Sequence, residues 1–436
     1  MADEETLDFS NLKPRGVSTV EVSEQQFRKE TYYVLHNTEI DTYIKLNATG
    51  FFLWSMMDGE HSLGDIATAY FTKFGSMPFD QLSELLNILQ SNSFLEDVTP
   101  IEEEKPYKNE LSGDRSHSGG AKHFLANTWA KISTSEITIN ANAYFGWAYR
   151  HGGRLFFTKP AQITFAILSV IGVVLFLIEL TERNYSLLKT GDSYVLGIIT
   201  LFLLNTIVLL IHEHAHGLTV KHYNRKVISG GFVLYWGLLC MFVNTTDMWM
   251  GTKNQRIAVS WAGPYAGLII GSVCAIGYAL YPSSTVAPLL FQASFLGMLN
   301  LLQNLVPFLE WDGYYMLMNY MEMPNLRAEA FSFIKAPLWR KLFIEKGNFS
   351  HDERIFILFG FLSALWTAGT IYLVLHLWAN DFYPPLKSLW DTGKIGDEIV
   401  VLILVGIVSL LLAGSIGVKI WNGLKGTWFV YTNRRH

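Results

Sequence analysis

Long apolar stretches recur along the second two-thirds of the chain, and short polar segments separate them. An α-helix needs about 20 apolar residues to cross a bilayer. The pattern therefore predicts six membrane-spanning helices, at residues 161–180, 194–211, 257–280, 287–306, 355–377 and 399–420. Residues 230–243 are also apolar, but their adjacent glycines and β-rich composition favour a re-entrant hairpin over a further crossing.

The N-terminal part follows a different pattern, in which short alternating stretches precede amphipathic ones. Segments rich in β-branched and aromatic residues predict strands at 17–22, 32–36 and 42–46. Helical periodicity predicts helices at 48–57, 63–74 and 79–95, and Ser62 followed by Asp65 is typical of a helix N-terminus. We therefore expect a mainly α protein: a polytopic membrane helix bundle of about six spans plus the hairpin, with a small N-terminal α+β domain.

Composition and charge agree with a membrane protein that carries a soluble part. Half of the residues are hydrophobic and only 16% are charged. The first 105 residues hold 19 acidic side chains against 7 basic ones, which makes a duplex DNA surface a poor interpretation, and we expect no nucleic acid partner. The predicted organisation is a domain at 1–100, a charged and polar flexible linker at 101–125, and a membrane domain at 126–436.

The distribution of lysine and arginine predicts the orientation. Most of the basic residues in the membrane part fall before the first span, after the second, between the fourth and fifth, and in the tail, which all lie on one side if six spans are present. We expect a multi-pass protein of a bacterial cytoplasmic membrane with both termini in the cytoplasm and no cleavable signal peptide. Cys240 and Cys274 lie in apolar segments and are expected to be free thiols. The sequence is compatible with a homo-oligomer.

The sequence His-Glu-His-Ala-His ends the second apolar stretch, at residues 212–216. In a helix the i, i+4 spacing places His212 and His216 on one face, where both imidazoles can ligate one zinc ion. Glu213 is the candidate general base, and His214 lies on another face, where we expect a solvated or supporting role. The structural alternative is a histidine pair without metal. Within a lipid-exposed helix such groups are costly unless they are used, so we favour a single catalytic zinc ion.

A catalytic zinc usually has three protein ligands and one open position. Asp312 is the best third candidate, because Pro307 and Gly313 would interrupt the helix around it and let its carboxylate turn toward the metal. The alternative for Asp312 is an ordinary turn carboxylate, since Asp-Gly is itself a turn signal. The active-site opening would then lie at the cytoplasmic end of the bundle.

These two motifs together resemble the site-2 protease family of intramembrane zinc metalloproteases. That family pairs HExxH with NxxPxxxxDG, and the chain has both in that order, the second running from Asn304 to Gly313. The resemblance implies that His212, His216 and Asp312 ligate zinc and that Glu213 activates water. It also implies that Asn304 binds the substrate backbone or the developing oxyanion, although an interhelical amide is the alternative for Asn304.

A second resemblance covers about residues 17–97. The segment Lys45-Leu46-Asn47-Ala48-Thr49-Gly50, followed by Leu53-Trp54 and Asp58-Gly59, looks like the PqqD-like domain. The resemblance implies a small winged-helix-like fold that binds the leader of a ribosomally made, modified peptide by strand addition between the third strand and the third helix. The peptide-binding residues would be Asp41, Thr42, Tyr43, Ile44, Lys45 and Leu46.

Our leading hypothesis is an intramembrane zinc endopeptidase that captures a precursor peptide and cuts it in or near the bilayer. Two alternatives stay open. A protease-like membrane core can export a modified peptide, or confer immunity to it, without cutting it. The same site can also serve regulated proteolysis of a membrane-bound signalling protein, with the N-terminal domain binding another partner.

Overall fold

The architecture comes from a computed structural model. It describes residues 12–27, 30–96, 136–139, 141–182, 187, 190–191, 193–235, 238–323, 325–335, 337–345, 347–377 and 379. The predicted linker at 101–125 and the predicted sixth span at 399–420 lie outside these residues.

The N-terminal domain packs three helices on one antiparallel sheet. Its elements are β1 (Arg15–Gly16), β2 (Val20–Phe27), β3 (Glu30–Asn37), β4 (Thr42–Asn47), α1 (Ala48–Ser55), α2 (Leu63–Phe74), α3 (Phe79–Ser91) and β5 (Leu95–Glu96). The sheet order is β2-β3-β4, and β1 pairs with β5. Leu35 on β3 lies opposite Ile44 on β4, and both belong to the hydrophobic core beneath the helices.

Local sequence signals set the ends of α2. The Ser62 side chain accepts from the Asp65 backbone N–H, and the Asp65 carboxylate accepts from the Ser62 N–H, which completes a capping box. Gly75 ends the helix with φ of 76°, a left-handed conformation that glycine adopts without steric cost. The predicted bounds of α2 are confirmed, whereas α1 and α3 end earlier than expected and β2 starts and ends later.

The membrane part is mainly helical. Its helices are α4 (Asn142–Arg150), α5 (Lys159–Glu182), α6 (Tyr194–His222), α7 (Lys253–Leu280), α8 (Ala287–Asn304), α9 (Asp312–Met321), α10 (Leu326–Lys335), α11 (Pro337–Arg340) and α12 (His351–Leu377). A 3₁₀ turn at Gly153–Phe157 leads into α5, and a π-helical turn at Lys341–Glu345 follows α11.

A second sheet joins α6 to α7. Strands β7 (Gly230–Tyr235) and β8 (Leu238–Val243) form an antiparallel hairpin, and β6 (Glu136–Ile139) pairs with the outer edge of β7. A hairpin is therefore present at residues 230–243, and its re-entry into the membrane stays a prediction. A 3₁₀ turn, Thr246–Met250, connects it to α7.

Among the residues that the structure describes, four helices are long and apolar enough to cross a membrane: Lys159–Thr181, Val195–His222, Lys253–Leu280 and His351–Tyr372. These helices indicate a membrane protein, but the expected count of six spans is not confirmed. The fourth predicted span corresponds to α8, which carries buried polar residues and packs tightly on α7. A Cβ built at Gly297 would lie 2.6 Å from the backbone nitrogen of Gly271, so the two helices touch through their glycines.

Candidate metal centre and peptide groove

Three ligating atoms converge at the C-terminal half of α6. His212 and His216 lie one helical turn apart, both buried, with their Nε2 atoms 3.1 Å apart. Asp312, the first residue of α9, places Oδ2 at 3.1 Å from His212 Nε2 and 3.4 Å from His216 Nε2. Ligands in a tetrahedron with zinc bonds of about 2.0 Å stand about 3.3 Å apart. The spacing of the three atoms therefore fits one tetrahedral zinc ion.

Hydrogen bonds on the far side of each ring hold the imidazoles in place. His212 Nδ1 lies 3.0 Å from Asn300 Oδ1 on α8, and His216 Nδ1 lies 2.7 Å from the Val259 carbonyl oxygen on α7. Since both partners are acceptors, each Nδ1 carries the hydrogen. Each Nε2 is then left with a lone pair that faces Asp312, as a metal ligand requires.

The backbone of α7 lies directly against the two rings at Gly263. A Cβ at this position would lie 2.5 Å from His212 Nε2 and even closer to His216 Nε2, which is too close for any side chain. The absence of a side chain at Gly263 thus leaves space beside the two Nε2 atoms. This space and the donor set together fit a small divalent cation.

Asp312 supplies a carboxylate oxygen, a ligand type that zinc accepts beside two imidazoles. Glu213 also lies close, because one of its carboxylate oxygens is within 4.8 Å of a ring nitrogen of each histidine. Asp312 is the better third ligand because its Oδ2 is near both nitrogens at once, which leaves the Glu213 carboxylate available for proton transfer.

Two other candidate residues lie near the centre without joining it. The Asn304 side-chain amide donates to the Asn300 backbone oxygen at 2.9 Å, so one of its two N–H groups caps its own helix. His214 points elsewhere, with Nε2 at 2.8 Å from the Tyr144 hydroxyl and Nδ1 at 2.7 Å from the Leu210 carbonyl oxygen. Sequence reasoning missed Asn300; its signal is a second amide one turn before Asn304 on the same apolar helix.

A groove runs along the outer edge of β4. Its cavity of about 370 Å³ lies between the end of β4, α1 and α3, with Lys45, Leu46, Leu53, Glu84 and Ile88 among its lining residues. No described strand pairs with this edge of β4, so its backbone offers the donors and acceptors that strand addition uses.

The six expected peptide-binding residues fall into four groups. Lys45 and Leu46 line the groove, whereas Ile44, together with most of the Leu46 side chain, is buried in the domain core. Thr42 donates to the Asn92 carbonyl oxygen. Asp41 and Tyr43 contact the membrane part, as detailed below.

Residues 32–95 match a known family model. The model describes coenzyme PQQ synthesis protein D (PqqD). The match spans β3 to the start of β5, so the N-terminal part contains a PqqD-like domain, and PqqD domains bind peptides. No curated protein and no solved structure matches the chain. The site-2 protease resemblance therefore rests on its two motifs and stays a prediction.

Proposed function

We propose that the chain is a membrane zinc endopeptidase that binds a precursor peptide through its PqqD-like domain and cuts it in or near the bilayer. The observation that carries the proposal is the convergence of His212 Nε2, His216 Nε2 and Asp312 Oδ2 at separations of 3.1 to 3.4 Å. Their position at the end of an apolar helix supports intramembrane or interfacial chemistry, because buried ionisable groups in such helices mark functional sites.

His212, His216 and Asp312 would hold the ion, and Asn300 and Val259 would orient the two imidazoles. When bound, zinc would supply a Lewis acid that polarises the scissile carbonyl group and acidifies a water molecule. Glu213 would accept a proton as the water oxygen bonds to the carbonyl carbon. It would deliver that proton to the amide nitrogen as the carbon–nitrogen bond breaks.

Asn304 has a second amide N–H besides the one that caps its helix. That hydrogen would donate to the substrate backbone or to the oxyanion that forms at the carbonyl oxygen. The PqqD-like domain would hold the leader segment of a ribosomally made precursor as an added strand beside β4. Both termini and the active-site opening would face the cytoplasm, where such precursors are made.

The test uses the purified full-length chain in detergent and the precursor peptide encoded next to its gene. Native protein should contain one zinc per chain and release two fragments, whereas Glu213→Gln should keep the zinc and lose the cleavage. His216→Ala should lose both. His214→Ala is the matched control, since it removes an imidazole from the same helix without touching the centre, and it should keep both.

Equal cleavage by native protein and Glu213→Gln would end the proposal. A chain with no stoichiometric zinc, in which His216→Ala leaves peptide export or resistance unchanged, would favour export or immunity instead. Binding of the leader separates peptide maturation from regulated proteolysis. Saturable binding to the full chain supports maturation, and no binding supports another substrate.

A further inference from the structure

The outer face of the β2–β4 sheet is covered by the membrane part of the chain. Leu35 on the central strand points into the domain core, so its neighbours Val34 and His36 point the other way. An antiparallel sheet with one face on its core commonly leaves the other face in water. Val34 and His36 are nevertheless each only 2% exposed. On either side of them, β2 and β4 form hydrogen bonds with the Thr246–Met250 turn.

A buried carboxylate ties β4 to this turn. Asp247 is 3% exposed and accepts two hydrogen bonds, one from the Tyr43 hydroxyl at 2.9 Å and one from the Lys226 backbone N–H at 2.6 Å. The Lys226 ammonium also donates to Asp41 at 3.1 Å. A buried carboxylate that loses a donor retains a desolvation cost that nothing offsets, so the Tyr43 contact favours the docked arrangement.

Strand β2 makes the second set of contacts. Ser23 Oγ and the Gln25 side-chain amide both donate to the Met250 carbonyl oxygen, at 3.3 and 3.4 Å. Arg256 Nη1 on α7 donates to Gln25 Oε1 at 3.2 Å. Because β2 and β4 are the two outer strands of the sheet, contacts at both fix its rotation as well as its position.

The same contacts lead to the metal centre. Arg256 Nε donates to Asn319 Oδ1 at 2.7 Å, and Asn319 lies on α9, the helix that begins with Asp312. Val259, which orients His216, follows Arg256 by one turn of α7. The PqqD-like domain therefore contacts α7, which is bonded to α9, and these two helices position the candidate metal ligands.

The distance from groove to centre can be judged from these contacts. Asn319 lies seven residues after Asp312, which is about 10 Å of helix rise. Lys45 lines the groove and follows Tyr43, whose hydroxyl contacts Asp247, by two residues on β4. With these side chains added, the groove and the centre lie on the order of 20 Å apart, which about six extended residues span at about 3.3 Å each.

We propose that the PqqD-like domain works from this docked position as a molecular ruler. A peptide paired along β4 is then cut at a fixed number of residues from the segment that the domain binds. The inference rests on the proposed function and adds the rule by which the scissile bond is chosen. A domain on a loose tether would instead let the active site select its bond by local sequence, whatever the spacing.

The first experiment uses the native protein and three precursor peptides, which carry no insert, three, or six Gly/Ser residues between the leader and the natural cut. Mass spectrometry locates each cut. A ruler keeps the cut at a constant distance from the leader, so the inserts move it by three and six residues and spare the natural bond. Cleavage of the natural bond in all three peptides would overturn the ruler while leaving the protease intact. No cleavage of any peptide would overturn the protease and the ruler together.

The second experiment weakens the contacts between the PqqD-like domain and the membrane part. Combining Tyr43→Phe with Gln25→Ala removes one hydrogen bond to the membrane part from β4 and two from β2. The cuts should then spread over several spacings while zinc content stays at the native value. Tyr33→Phe is the matched control, because Tyr33 lies on the opposite face, stacked on Phe51. It should cut as the native protein does. An unchanged single cut position in the loosened variant would contradict the proposal.

The third experiment holds the PqqD-like domain covalently in its docked position. Ser23→Cys and Met250→Cys, with Cys240 and Cys274 changed to serine, place one thiol on each side of the contact between β2 and the membrane part. A short, reducible bis-thiol reagent should join them. The cross-linked protein should keep at least half of the cleavage rate of its reduced form, because the docked state is the working one. Loss of cleavage on cross-linking that a reductant restores would show that the domain must undock, and would overturn the proposal.

Discussion

Gly263→Ala is the smallest change that tests the candidate metal centre. The residue lies on α7 where the backbone passes against both imidazoles, and its replacement adds one methyl group without adding charge or polarity. That methyl carbon would lie 2.5 Å from His212 Nε2 and closer still to His216 Nε2. The optimal separation for such atoms is about 3.5 Å, so the rings or the helix must move by about 1 Å.

A displacement of that size exceeds what the site can absorb. Zinc–ligand distances must stay within about 0.2 Å of their ideal values. The hydrogen bonds from the rings to Asn300 and Val259 oppose rotation of either imidazole away from the methyl group. We therefore expect zinc affinity to fall at least 100-fold, which corresponds to about 2.8 kcal/mol.

The assay is competition between the purified full-length protein and a chelating dye for zinc, with metal content as a second readout. Gly277→Ala is the control on the same helix, since its Cβ would meet only Leu290 at an ordinary 3.5 Å. It should keep the native affinity. If Gly263→Ala binds zinc within threefold of the native protein, the ion does not sit between these rings and the reasoning fails.

Three further predictions concern single side chains. Asn300→Ala should weaken zinc binding 10- to 100-fold, because it removes the acceptor that orients one imidazole. Asn300→Asp keeps an acceptor oxygen and should recover most of the affinity, whereas equal losses in both would point to a packing role. Burial and the charge of Arg256 lower the pKa of Lys45 from 10.5 to about 8, so folding disfavours its protonated form and its contribution to stability rises with pH between those two values. Amine labelling at graded pH should give a midpoint near 8 in the native protein and a higher one in Arg256→Gln; an identical midpoint would exclude the electrostatic cause. Ser62→Ala breaks the capping box of α2 and should lower the local unfolding free energy by about 1 kcal/mol. Hydrogen exchange of α2 amides would measure it, and unchanged protection would contradict the capping argument.

Short-range signals made much of the fold predictable. The bounds of α2 followed from its cap at Ser62 and its glycine stop at Gly75, both of which act within one turn of the helix. The two motif histidines came together because helix geometry alone places i and i+4 on one face. Asp312 could be chosen because the chain breaks its helix just before it, between Asn304 and the start of α9.

Contacts between distant segments were not predictable. Asp41 and Tyr43 were expected to bind peptide, but their side chains contact Lys226 and Asp247, about 200 positions away in sequence. Nothing in a strand pattern tells whether its outer face meets solvent, a ligand or another domain. The role of Val259 was equally unpredictable, because its backbone carbonyl oxygen orients His216 and every residue has a backbone carbonyl group.

The hydrogen bonds that join β2 and β4 to the membrane part affect how this protein can be divided into fragments. Severed from the rest of the chain, the PqqD-like domain would present the outer face of its sheet, with Tyr43 deprived of its carboxylate acceptor, to solvent. Such a fragment is expected to self-associate, and its peptide affinity would not represent that of the full-length chain. A chimaera that joins another peptide-binding domain to this membrane part would need a redesigned Thr246–Met250 turn that fits the new domain.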